Sequence, residues 1–147
     1  MKTFVIIVSR NFPKTHPAAA EPTYFVDSIL KRIKTTTIRN DDKKHWLKVA
    51  HQVNEGKAIL SIRYWSGKPY NSKQVEFARC SKLFTKRVFI TNINGFEMSV
   101  DGTYQDYMGL QEVISREGFD ESTHFYDWFP QEEFTGIMLG FLEIEKV

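Results

Sequence analysis

A chain of 147 residues with 41% hydrophobic and 26% charged side chains has the composition of one folded domain and not of a disordered segment. Its formal net charge of +2 does not demand wholesale electrostatic capture of nucleic acid, and leaves room only for a local basic face. One cysteine, Cys80, cannot form an internal disulfide, Phe4 to Val8 is too short for a signal-peptide core, and no apolar run reaches the roughly 18 residues that cross a bilayer; a cytoplasmic protein without a membrane segment is expected.

Thr3 to Val8 is β-branched and aromatic and predicts a buried strand. Pro13, Pro17 and Pro22 then oppose regular structure from Asn11 to Pro22. From Thr23, the apolar residues Phe25, Val26, Ile29, Leu30 and Ile33 recur at helical spacing, with Lys31 and Arg32 in the last turn, predicting a helix of about three turns. The β-branched run Lys34-Thr35-Thr36-Thr37-Ile38-Arg39 predicts a short strand straight after it. Asn40 is placed to cap a second helix, with Asp41 and Asp42 in its first turn, Trp46, Leu47, Val49, Ala50 and Val53 on its apolar side, and Gly56 as its stop.

Period-two patterning from Ala58 to Trp65, a turn at Ser66 to Pro69 and a return within Gln74 to Phe84 predict a hairpin. A third strand at Arg87 to Thr91 and a fourth at Phe96 to Val100 continue an antiparallel meander. Tyr104 to Arg116 reads as a helix closed at Glu117-Gly118, and Glu121 to Phe129 as a short helix capped by Asp120 and ended by Pro130. Gly136 to Ile144 returns a last strand. No repeat or linker divides the chain.

Familiar catalytic signatures are missing: there is no glycine-rich phosphate loop and no G-x-S-x-G elbow, and His45 and His51 stand six apart, on different sides of a helix. Neither a metal nor a cofactor is expected, and His16, His45, His51 and His124 read as surface or capping residues. The informative segment is Lys34 to Arg39. In a strand, Thr35, Thr37 and Arg39 share a face and form, with Lys34, a cationic, hydrogen-bonding cluster suited to an anion or a polarised carbonyl. An edge strand kept soluble by its charges would carry the same pattern.

A helix followed by Lys-Thr-x-Thr-x-Arg, here Lys34, Thr35, Thr37 and Arg39, resembles the signature of ASCH domains, in particular the small proteins that hydrolyse the acetyl amide of N4-acetylcytidine. The family's acid at the end of a helix corresponds to Glu117. The resemblance runs from about Phe25 to the last strand. It implies an α+β, PUA-like, mostly antiparallel β-barrel with flanking helices and a cleft for a nucleobase. It also implies roles: Lys34 as a base of lowered pKa, Thr37 as the nucleophile, Glu117 as the group that protonates the leaving amine, and Arg39 as an anchor. Threonine needs such a base, and a lysine serves near neutral pH only when burial or a nearby cation depresses its pKa. The chain differs from the compact members in its proline-rich loop, Ser9 to Pro22, and its extended hairpin, Arg63 to Lys73.

That hairpin interleaves Arg63, Tyr64, Trp65, Lys68, Tyr70 and Lys73. The mixture suits stacked bases and tracked phosphates, or aromatic packing that stabilises the hairpin itself. Arg10 to His16 offers another basic and aromatic mixture, whereas Phe125, Trp128 and Phe129 have the spacing of a core-facing helix. Three functions follow from these residues. One is an enzyme acting on a modified nucleoside or RNA, the second a non-catalytic RNA-binding module in which the same cations hold phosphates, and the third an accessory protein that meets another protein through an exposed strand or the proline-rich loop.

Overall fold

In the computed structural model, which describes residues 1–41 and 43–147, the β-branched runs form seven strands and the 3.6-periodic runs four helices among those residues. In chain order they are β1 (Lys2–Ile7), α1 (Phe25–Leu30), β2 (Thr36–Asn40), α2 (His45–Asn54), β3 (Ala58–Trp65), β4 (Gln74–Thr91), β5 (Glu97–Val100), β6 (Thr103–Tyr104), α3 (Tyr107–Arg116), α4 (Ser122–Trp128) and β7 (Glu133–Lys146). The expectation that Asp42 sits in the first turn of the second helix falls outside the described residues.

The fold is α+β, with one mostly antiparallel sheet. Its spine is β4, paired along one edge with β7 and along the other with β3 at its beginning and β5 at its end. β2 adds to β7, β6 to β5, and β1 to β3 in the one parallel pairing. That parallel pair requires the long crossover through α1, β2 and α2, because two parallel neighbours cannot be joined by a hairpin. β1 and β2 each pair on one side only, so no backbone ladder closes the sheet among the described residues. Of the fold expected from the sequence, the structure shows the α+β class and a mostly antiparallel sheet, left open between β1 and β2.

Several boundaries differ from the sequence reading. Gln74 to Thr91 is one 18-residue strand and not two; a register shift around Cys80 to Leu83 lets β4 bend without ending. Asn40 closes β2 instead of capping α2, whose N-cap is Lys44, and the Asp41 carboxylate accepts from Trp46 N at 2.8 Å. α4 begins after Glu121, with no side-chain cap from Asp120. The first helix is shorter than its periodicity suggests. It stops at Leu30 because Arg32 takes φ 62°, and Arg32 N and Ile33 N turn back onto Ile29 O and Ser28 O at 3.1 and 2.8 Å.

The sheet packs two cores. One joins α2 (Val49, Val53) to β1, β3 and the first half of β4. The other joins α3, α4 and the proline-rich loop to β2, the second half of β4 and β7. Gly140 of β7 lies opposite Phe84, whose ring would stand 1.8 Å from a side chain there; the absent side chain lets that ring lie flat on the sheet. The proline-rich loop is closed at its base by Phe12 N to Glu21 O, at 2.9 Å, and Thr23 N to Arg10 O, at 2.8 Å. No helix is long and apolar enough to cross a membrane.

Candidate functional site

Lys34 comes inward because of how α1 ends. The left-handed turn at Arg32 lets Lys34 N donate to Ser28 O at 3.0 Å, and the side chain then points into the protein, 2% exposed. Its Nζ donates to Thr36 O at 2.9 Å and Glu117 O at 2.6 Å, and lies 4.4 Å from the centroid of Phe25. Burial of the ammonium pushes its pKa down to about 8; the Glu117 charge opposes this and the Arg39 charge adds to it. A fraction of Lys34 on the order of one tenth is therefore neutral near pH 7.

The alternation of β2 divides its residues. Thr37 and Arg39 line a cavity together with Lys34 and Glu117. Arg39 Nη1 donates to Thr37 Oγ1 at 2.6 Å and Nη2 to Ile7 O at 2.8 Å, so this side chain links β2 to β1 across the gap the ladder leaves open. Burial also pulls the Arg39 guanidinium below its usual range, against the raising effect of Glu117. Thr35, expected on the same face, precedes the strand and does not line the cavity; its backbone is committed to Arg116 O and Phe141 N at 2.8 and 2.9 Å. Thr36, with no role in the sequence reading, is 1% exposed and donates its hydroxyl proton to the Glu117 carboxylate.

Glu117 is the C-cap of α3 and is 2% exposed. Phe119 N bonds to Ile114 O at 3.2 Å and Gly118 N to Ser115 O at 3.0 Å, the paired bonds of a Schellman ending. Gly118 takes φ +86°, and a Cβ there would lie 2.9 Å from Lys34 Cβ. The glycine therefore serves both the helix ending and the passage of the Lys34 stem. Lys34, Thr36 and Glu117 form one buried hydrogen-bonded set, and no buried side-chain nitrogen or oxygen lacks a partner among the described residues.

The cavity these groups share has a volume of about 350 Å³ and lies at the open seam, between the Ile7 to Ser9 end of β1 and the Thr37 to Asn40 stretch of β2. Phe25, Phe119, Trp128, Phe129 and Phe134 wall it. Phe119 holds Phe25 and Trp128 edge to face, at centroid separations of 5.3 and 5.6 Å. Phe125 is fully buried, as its helical spacing predicts, but Trp128 and Phe129 serve core and cavity at once. Sequence periodicity misses this second role, and misses Phe25 and Phe119, because an aromatic on an apolar face looks the same whether its far edge meets protein or a void. An aromatic-walled cavity with a few convergent polar groups is the usual form of a small-molecule site. Among the described residues no group of three or more His, Cys, Asp or Glu is arranged to hold a metal ion.

The hairpin residues expected at the site lie elsewhere. Arg63 is held in the β3–β4 pair by Ser61 Oγ at 2.8 Å and Gln74 Oε1 at 3.1 Å. Tyr64 lies between Phe77 and the Arg10 guanidinium, Trp65 against Tyr70 at 5.2 Å, and Lys68 is exposed. None of these four lines the cavity. His16 is not a surface residue: it is 3% exposed among Phe12, His124 and Trp128. Its Nδ1 accepts from Ala18 N at 2.9 Å and its Nε2 donates to His124 O at 2.8 Å, so the ring ties the proline-rich loop to α4.

No family model, curated protein or solved structure matches this chain.

Proposed function

We propose that the chain is an ASCH-like domain, its open sheet a variant of the PUA-like barrel, whose cavity takes up the base of a modified nucleoside and hydrolyses an N-acyl amide on it, with N4-acetylcytidine as the first substrate to try. One observation carries this reading: Lys34, Thr37, Arg39 and Glu117, separated by up to 83 positions, line a single aromatic-walled cavity of about 350 Å³. The Lys-Thr-x-Thr-x-Arg resemblance supplies the reaction class.

In this mechanism neutral Lys34 takes the proton of Thr37 Oγ1, which attacks the amide carbonyl carbon. Arg39 already donates to that oxygen at 2.6 Å, which leaves the hydroxyl proton free to point elsewhere and favours the charge that develops as it departs. The carbon–nitrogen bond breaks as the Glu117 carboxyl group gives a proton to the amine nitrogen. Water then cleaves the acyl ester on Thr37: one water proton restores Glu117, the proton held by Lys34 returns to Thr37, and the acid leaves. Phe25, Phe119 and Trp128 offer apolar faces to a planar base.

The test is release of cytidine from N4-acetylcytidine, followed by chromatography, for the wild type, Lys34→Ala and Thr37→Ala. Turnover by the wild type and a loss of roughly a hundredfold or more in both folded variants is the expected result. A wild type that binds the nucleoside without turnover would sink the enzyme reading, and one that neither binds nor turns it over would sink the nucleoside reading as well.

A further inference from the structure

A second concavity of about 460 Å³ shares the Ile7 to Ser9 segment as a wall with the cavity described above. Its remaining walls are the proline-rich loop, including Arg10, Asn11 and Lys14, and the tip of the hairpin, with Trp65. Two basic side chains and no acidic one line it, so its charge favours an anionic occupant. The groove is also built rather than incidental. Arg10 Nη2 donates to Ser66 O at 3.0 Å and its guanidinium covers Tyr64 at 4.7 Å, which fixes loop to hairpin, while Tyr70 backs Trp65. The loop in turn is closed at its base by the Asn11–Pro22 bridge.

We infer that this groove receives the nucleotide next to the one whose base enters the cavity, so that a single-stranded oligonucleotide is taken in preference to a free nucleoside. A shared wall three residues long places the two concavities side by side, as successive nucleotides of one strand require. Trp65 supplies a stacking face and Lys14 a phosphate contact, the pairing that sequence-tolerant single-strand sites use. The two segments that form the groove are the proline-rich loop and the extended hairpin. The inference rests on the nucleoside reading of the cavity and adds the class of molecule that carries the base.

The experiment measures equilibrium binding of N4-acetylcytidine and of a five-nucleotide RNA with N4-acetylcytidine at its centre, to full-length Thr37→Ala and to the same chain carrying Trp65→Ala or Lys14→Ala. The expected result is an affinity for the RNA at least roughly tenfold above that for the nucleoside. Trp65→Ala should abolish most of that gain, Lys14→Ala should reduce it and its salt dependence, and both should leave nucleoside binding within about twofold, which also shows them folded. Nucleoside binding with no gain for the RNA, or a gain untouched by both substitutions, overturns the groove and spares the cavity. Absence of nucleoside binding overturns both.

Discussion

Gly118 and Gly56 make a matched pair in which local and tertiary demands on a helix ending can be separated by one substitution each. Both follow a helix C-cap, with φ +86° and +76°, and both close a Schellman ending: Gly118 N to Ser115 O and Phe119 N to Ile114 O in one, Gly56 N to Val53 O and Lys57 N to Gln52 O in the other. Their surroundings differ. A Cβ on Gly56 meets nothing within 4 Å, whereas one on Gly118 would lie 2.9 Å from Lys34 Cβ and 3.2 Å from its Cγ and Cδ. Gly56→Ala should therefore cost only the left-handed conformation, about 1–2 kcal/mol. Gly118→Ala adds overpacking against a Cβ that cannot swing away, about 1–3 kcal/mol more. Urea unfolding of the wild type and both variants at pH 7 reads the difference directly. Because the displaced group is Lys34, turnover of N4-acetylcytidine should fall in Gly118→Ala and persist in Gly56→Ala. Equal losses of stability in the two variants would refute the claim that Gly118 is there for Lys34.

Three further predictions concern the buried polar groups. Because the folded-state pKa of Lys34 is lowered to about 8, below its value of about 10.4 in an unfolded chain, the unfolded state binds more protons between those values. Stability should therefore rise with pH through that window. Relative to Lys34→Met, the wild type should gain up to roughly 3 kcal/mol between pH 8 and 10.5 in denaturant titrations, and a flat difference would contradict the burial argument. If Lys34 is the base, kcat/KM should rise with an apparent pKa near 8, a limb that Lys34→Ala should lack. Thr36→Val removes the hydroxyl that donates to the Glu117 carboxylate at nearly constant volume, and should cost about 1–3 kcal/mol by unfolding. No measurable loss would show that the carboxylate does not depend on this hydroxyl.

The strands and helices were legible in the sequence wherever one physical signal dominated. Ala58 to Trp65 alternates, and it is a strand over those same residues. Gly56 and Gly118 announce helix endings because few other residues accept their φ at so little cost. The sequence also singled out Lys34, Thr37, Arg39 and Glu117, through a short motif and a helix-terminal acid. It did not reveal where β4 would bend and continue, since a register shift depends on what β3 and β7 present on either side. Nor did it show that Thr35 would fall outside the strand, that Thr36 would hold Glu117, or that Phe25, Phe119 and Trp128 would wall a void. Local spacing determines which face of a strand or helix a residue joins. Only the tertiary arrangement, an open sheet whose edge strands β1 and β2 are spanned by Arg39 and leave a cavity at the seam, decides what that face meets, because the contacting groups come from distant parts of the chain.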